Sequence, residues 1–228
     1  MSIRTVHEVP LLLKPFLLIF GILGAAFFLS LNWFHRRICK IEYAGKENLE
    51  KVPNQIFSLW HENVPLFFIA HAKWRKPHIW LTFPLWYMKP AHILKKFIGI
   101  KELAFGASGY EGKAALKQVL GRLKEGWSTF IAPDGPFGPA KEIKDGVLIM
   151  SMKTGTPVVP IRFYLTKEYR IPSWDRKRYP ALFSKLVVVY GEPIWVTQEN
   201  FEEARQQIAK AMASPPIKPI SDKKKPNL

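Results

Sequence analysis

The apolar and polar positions divide the chain into one unbroken apolar stretch and a series of shorter alternating runs. Residues Phe16 to Phe34 read FLLIFGILGAAFFLSLNWF, and no charged residue falls between Lys14 and Arg36. As a helix rising about 1.5 Å per residue, this stretch is about 28 Å long, close to the thickness of a bilayer core. Pro10 and Pro15 leave two geometries open, a spanning helix and a re-entrant or interfacial one. A cleaved signal peptide fits less well, because bulky Trp33-Phe34-His35-Arg36 stands where small residues precede a cleavage site. Trp33 and Phe34 fall where an interfacial belt would lie. The cluster Arg36, Arg37 and Lys40 then predicts a downstream domain on the cytoplasmic side. Residues 1–36 are expected to be a membrane anchor.

Beyond the anchor, strand and helix patterns alternate. Strands are expected at Ile38–Tyr43, Gln55–Trp60, His78–Phe83, Lys101–Phe105, Trp127–Ala132, Val158–Leu165 and Leu186–Tyr190. Helices are expected at Glu62–Trp74, with Pro65 tolerated only in the first turn, and at Pro84–Phe97, interrupted near Pro90. The clearest helix is Gly112–Glu125, where Leu116, Val119, Leu120 and Leu123 form one stripe and Gly126 suits the stop. A short helix is expected at Val147–Met152, and Phe201, Ala204, Ile208 and Met212 mark a last amphipathic one. Strands separated by helices predict an α/β domain over residues 37–213, with a largely parallel mixed sheet flanked by helices. The tail, residues 214–228, is rich in Pro and Lys and is expected to be a basic disordered segment able to meet anionic lipid.

Charge changes the picture of partners. Against 18 Asp+Glu there are 34 Lys+Arg, a formal net charge of +16. This suits an anionic membrane surface or a phosphorylated substrate. A nucleic-acid partner would rest on charge alone, since no recognition module is present. The single cysteine, Cys39, excludes an intrachain disulfide and is read as a small buried apolar residue. No Cys/His spacing points to a metal.

Two segments carry candidate chemistry. His61 directly follows the strand QIFSLW and opens a helical segment. The positive end of a helix dipole disfavours an imidazolium, so this histidine is placed to stay neutral and accept a proton. Glu62 suits the same helix end. His71 and His92 sit among apolar residues and read as structural. The second segment is Pro133-Asp134-Gly135-Pro136-Phe137-Gly138-Pro139, after the apolar strand WSTFIA. It is a conformationally fixed loop at a strand end, where α/β sites are built. Asp134 is its only ionisable side chain, and it fits a turn residue as well as a site residue. Lys141, Lys144 and Arg162 could contact a phosphate or stand as solvated charges. The turn from Gly106 through Ser108 to Gly112 precedes the clearest helix and would let a ligand approach the backbone.

In order along the chain, Trp60-His61, Gly106-Ala107-Ser108, Lys124-Glu125-Gly126, the loop Pro133–Pro139, Gly155–Pro160, Ser173-Trp174-Asp175-Arg176 and Tyr190–Ile194 resemble the lysophospholipid acyltransferase superfamily. The loop is specific to a bacterial branch with a Pro-Asp-Gly-Pro-x-Gly-Pro motif. The resemblance implies a glycerol-phosphate acyltransferase-like fold at the inner membrane's cytoplasmic face. It also implies a fatty acyl thioester of coenzyme A or acyl carrier protein as donor and a lipid hydroxyl as acceptor, with no metal or prosthetic group.

On this resemblance His61 is the general base. Asp134 is its expected orienting partner, with Glu62 as the alternative, because Leu66 stands where the superfamily places an acid. Phe105 replaces an arginine common before the small-residue motif, and Phe137 takes a position that is often basic. Substrate contacts are expected from Glu62, Gly106, Ser108, Gly135, Phe137, Lys141 and Lys144. Donors near Gly135 or in the Gly106–Gly109 turn would stabilise the oxyanion, and Trp60, Phe83, Trp86 and Phe137 would line an acyl groove. Leu66 also keeps a second class open: a membrane or lipid-binding protein that has the fold without turnover.

Overall fold

A computed structural model describes residues 5–71, 77–106 and 112–213, apart from the side chain at position 96. Its centre is a seven-stranded sheet ordered β1-β9-β6-β2-β5-β3-β4. The strands are β1 (Lys40–Ala44), β2 (Ile56–Ser58), β3 (His78–Thr82), β4 (Ile100–Phe105), β5 (Ser128–Ile131), β6 (Val158–Leu165) and β9 (Lys185–Tyr190). All neighbours pair parallel except β6 with β9. β7 (Glu168–Arg170) and β8 (Arg178–Pro180) form a separate antiparallel pair.

The helices are α1 (Lys14–Ile38), α2 (Glu47–Glu50), α3 (Val64–Ala70), α4 (Lys89–Ile98), α5 (Gly112–Lys124), α6 (Gly146–Thr154) and α7 (Phe201–Ala213). The expected fold class, a mostly parallel mixed sheet between helices after an apolar N-terminal helix, is what the chain adopts.

Side chains of a strand alternate between faces, and here the alternation builds two cores. Ile56, Trp60, Ile79 and Val158 point into a cluster with Ala115 and Val119 of α5, Val147 and Leu148 of α6, and Ala204 and Ile208 of α7. Phe57, Leu59, Trp80 and Val159 point the other way, onto Leu66 and Phe67 of α3, Leu94 of α4 and Ala25 of α1. Leu66 is fully buried in that second core.

The prolines of α3 and α4 sit where a helix tolerates them. Pro65 and Pro90 lie in the first turns of α3 and α4, each after a short 3-10 turn, at His61–Asn63 and Trp86–Met88. The break expected near Pro90 is thus the start of α4. The helix expected over Glu62–Trp74 is shorter: it starts at Val64 and ends at Ala70, with non-helical His71 as its C-cap.

The helix expected to end near Phe34 continues to Ile38, so Arg36 and Arg37 occupy its last turn and Lys40 opens β1. The Arg36 guanidinium donates to the carbonyls of Ile69 and Ala70 at 2.7 and 3.0 Å. Tyr43 Oη donates to the same Ala70 carbonyl at 2.7 Å. These bonds satisfy C-terminal carbonyls of α3 that the helix leaves open and tie α1 to the element that begins beside His61. The boundary set at residue 36 therefore falls inside a helix bonded to the domain.

The segment Leu11–Ile38 is the one candidate among the described residues that is long and apolar enough to cross a membrane. Its glycines face α4. A Cβ on Gly24 would lie 2.6 Å from Pro90 Cγ, and one on Gly21 would lie 2.6 Å from Lys89 Cγ. Leu12, Phe16, Leu23 and Phe27 remain exposed. Gly24→Leu therefore forces overpacking against Pro90. Thermal unfolding in detergent is expected to show a loss of about 1–3 kcal/mol, while Leu23→Ala on the exposed face changes little.

Candidate active site

β2 and β5 are parallel neighbours, so the segments leaving their C-terminal ends emerge side by side. Leu59 and Trp60 carry the chain from β2 to His61, and Ala132 and Pro133 carry it from β5 to Asp134. The Asp134 carboxylate is buried and accepts two backbone N–H groups, from His61 at 2.9 Å and from Lys141 at 3.0 Å. It thus joins the loop to the turn that carries the histidine. Burial raises its pKa above the ordinary 3.8, opposed by the N–H groups of Lys141 and His61. Expected to orient the imidazole, Asp134 instead holds the His61 backbone.

The carboxylate on the ring is Asp175. Its Oδ2 accepts from His61 Nδ1 at 2.6 Å. Lys177 Nζ donates to the same oxygen at 2.6 Å, and Ser173 Oγ donates to Oδ1 at 2.7 Å. Burial alone would raise the Asp175 carboxyl, but the hydrogen bonds from Lys177, Ser173 and His61 outweigh it and hold it at about 2. An ionised carboxylate only accepts, so Nδ1 carries the proton and Nε2 keeps its lone pair. Burial also pushes the His61 imidazole below its ordinary 6.5. Asp175 opposes that shift and the nearby Lys177 reinforces it. The resting ring is neutral near pH 7, and burial, not the helix start expected to keep it so, is the largest cause.

Asp175 lies on the excursion between β6 and β9 that contains β7 and β8. Two ion-paired or hydrogen-bonded arginines fasten this excursion to the residues after His61. Arg170 donates to Glu62 Oε2 at 3.0 Å, and Arg178 donates to Asn63 Oδ1 at 3.0 Å and to the Phe163 carbonyl at 3.1 Å. Trp174 then stacks on the imidazole, centroid to centroid 5.2 Å. Glycine is required opposite it, because a Cβ on Gly135 would stand 2.7 Å from His61 Cδ2.

His61 opens into a cavity of about 1010 Å³ walled by Val64, Phe68, Trp80, Leu94 and Phe130, and by Phe28 and Leu31 of α1. Of the side chains expected in an acyl groove, Phe83 and Phe137 line it. Trp60 does not, because strand alternation sends it into the opposite core, and Trp86 packs on Phe20 of α1 at 5.8 Å.

Among the expected substrate contacts, Gly106, Gly135 and Lys144 line the cavity, together with Lys113 and Lys177. Glu62 is buried in its pair with Arg170, with Lys141 Nζ 3.6 Å away, and neither Glu62 nor Lys141 reaches the cavity wall. Arg162 lies within β6, away from the wall. Ser108 lies outside the described residues.

The expected oxyanion donors are occupied at the two described positions. Gly135 N–H bonds the Ala132 carbonyl and Gly106 N–H bonds that of Thr82, both at 3.0 Å. Lys144 Nζ, which donates to the Gly135 carbonyl at 3.0 Å, brings a cation to the same corner.

His71 and His92 are structural, as expected. Both are held neutral by burial, each at about 4, and bond the carbonyls of Phe67 and Phe83. No group of His, Cys, Asp and Glu among the described residues could hold a metal.

Comparison with known proteins gives the same fold. A crystal structure of the 1-acyl-sn-glycerophosphate (LPA) acyltransferase PlsC from Thermotoga maritima is similar with a TM-score of 0.51 and 18% sequence identity. The likeness covers 80% of this chain and 77% of that one. An uncharacterized protein of Rickettsia prowazekii is 24% identical over 166 residues, 68% of this chain and 72% of the relative. No family model matches the sequence.

Two outcomes follow for the two aspartates. Asp175→Asn removes the anion that raises the imidazole pKa, so the His61 ring signal in an NMR titration moves to still lower pH. Asp134→Ala leaves two buried N–H groups unpaired and costs about 1–3 kcal/mol in chemical unfolding, a loss that Asp134→Asn partly restores.

Proposed function

We propose that the chain is a membrane-associated acyltransferase that moves a fatty acyl group from a thioester to a hydroxyl of a lysophospholipid or envelope-lipid acceptor. The observation that carries this reading is a neutral imidazole, oriented by an ionised carboxylate, opening into a large cavity with apolar walls. The acyltransferase fold of the Thermotoga maritima neighbour supports it.

The chemistry needs one proton acceptor and one anion stabiliser. As the acceptor hydroxyl attacks the thioester carbonyl carbon, its proton passes to His61 Nε2. Asp175 steadies the imidazolium that forms and stays ionised itself. The tetrahedral oxyanion collapses with cleavage of the C–S bond, and the departing thiolate takes the proton back from Nε2. Lys144 is the cation placed to meet developing negative charge near Gly135. The apolar wall accommodates the acyl chain, and Lys113, Lys144 and Lys177 suit phosphate on donor or acceptor.

The donor is a thioester of coenzyme A or acyl carrier protein, and the reaction draws on no metal or prosthetic group. The membrane partner is an anionic lipid surface met by α1, placed at the bacterial inner membrane with the domain on the cytoplasmic side. The reading of a lipid binder without turnover drew its support from Leu66, and Asp175 supplies the carboxylate that position lacks.

The test is acyl transfer by purified protein from acyl-coenzyme A or acyl carrier protein to lysophospholipid, followed by lipid mass spectrometry. His61→Ala is expected to lower the rate by about 10²–10⁴-fold with thermal stability retained, and Asp175→Asn to lower kcat more than it raises KM. Transfer at an unchanged rate by folded His61→Ala protein would sink the proposal. Because only the neutral ring accepts a proton, activity rises with pH through the lowered imidazole pKa. The acid limb of the profile therefore lies below 6.5, and Asp175→Asn moves it lower still.

A further inference from the structure

The excursion between β6 and β9 leaves an apolar tip that neither the core nor the cavity uses. Leu182 is 58% exposed and Phe183 is 82% exposed, the latter more than any other aromatic residue described. Phe183 also sits at φ +57°, a left-handed conformation that a bulky L-residue adopts only under constraint. The constraint is visible on both sides. Ala181 N–H bonds the Lys167 carbonyl at 3.1 Å, and Ser184 N–H turns back to the Ala181 carbonyl at 3.2 Å. An exposed phenyl ring on a strained tip costs stability in water, so its placement calls for a partner.

The position of the tip says which partner. Cys39, which caps the C-terminal end of α1, lies between its two flanks: Sγ is 3.8 Å from the Ala181 carbonyl and 3.5 Å from Ser184 Oγ. Lys40 N–H bonds the Ser184 carbonyl at 3.2 Å. Five and six residues back along α1 stand exposed Phe34 and Trp33, with the Arg37 guanidinium 5.2 Å from the Trp33 ring. At about 1.5 Å per residue, those rings are about 8–9 Å from Cys39 along the helix axis. The tip thus stands level with the aromatic and basic end of α1. The backbone of Lys40 and Lys167 bonds its flanks and Lys185 follows Ser184 in sequence, with the Lys40 and Lys185 ammonium groups paired to Glu42.

Exposed apolar side chains on a segment flanked by lysines, level with the aromatic and basic end of α1, match the layered chemistry of an anionic bilayer surface, with acyl chains beneath phosphate. We propose that the Leu182–Phe183 tip is a second membrane contact, inserted among anionic lipids beside the C-terminal end of α1. The inference rests on α1 lying in lipid. It gives the domain two attachments on one side, and the second belongs to the excursion that carries Asp175 to His61.

The experiment uses the full chain in vesicles of phosphatidylglycerol and phosphatidylethanolamine. Cys39→Ser provides the background, and an environment-sensitive fluorophore is attached at Phe183→Cys, Leu23→Cys or Lys124→Cys in turn. Leu23 reports on α1, and Lys124 lies on α5, across the sheet from it. With the tip in lipid, the label at 183 emits at shorter wavelength than in detergent-free buffer. Shallow spin-labelled lipid then quenches it several-fold more than the label at 124, and aqueous iodide quenches it less. A label at 183 open to iodide and untouched by spin-labelled lipid, while that at 23 is lipid-quenched, overturns this inference alone. A label at 23 that iodide reaches freely overturns the membrane reading of α1 and the inference with it.

Discussion

The hydrogen bond between His61 Nδ1 and Asp175 Oδ2 joins residues 114 positions apart, and much of the surrounding structure can be read as what keeps it in place. One side is the turn after β2, fixed by the Asp134 carboxylate on the His61 backbone. The other is the β7–β8 excursion, fixed to Glu62 and Asn63 by Arg170 and Arg178. The carboxylate is charged because Lys177 and Ser173 stabilise it, and the imidazole is uncharged because it is buried. A ring with a fixed tautomer, beside a large apolar cavity, is the property that the proposed chemistry uses.

Most of the scaffold was legible in the sequence. The strands showed as short apolar runs, the helices as stripes, and His61 and Asp134 as strand-end residues. Their juxtaposition follows from β2 and β5 being adjacent and parallel, which the alternation of strands and helices suggested only in general terms. Asp175 could not be found that way. It follows no strong strand, it lies among charges that read as solvated surface, and β7 and β8 are three-residue strands with little pattern of their own. The segment Ser173–Arg176 was visible as a piece of the resemblance, but nothing in its spacing tied it to His61. Trp60 shows the converse error. It adjoins His61 in sequence, yet the two-residue period turns it to the other side of the sheet.

Expectations placed on the loop lysines met a similar limit. Lys141 and Lys144 are three residues apart and look equivalent on paper. Lys141 takes φ +65°, gives its N–H to Asp134 and sends its ammonium toward Glu62, whereas Lys144 reaches the cavity corner. Backbone conformation separates them, and it is set by long-range bonds that no local window contains.

The glycines of α1 have an effect that reaches past packing. With Gly21 and Gly24 pressed on Lys89 and Pro90, α1 and α4 approach too closely to slide independently, and both contribute walls to the cavity. In a bilayer, a helix whose apolar length exceeds the local thickness tilts. A tilt of α1 would carry α4 with it and change the width of the slot beside the histidine. Lipid thickness would in this way be felt as a dimension of the cavity beside His61.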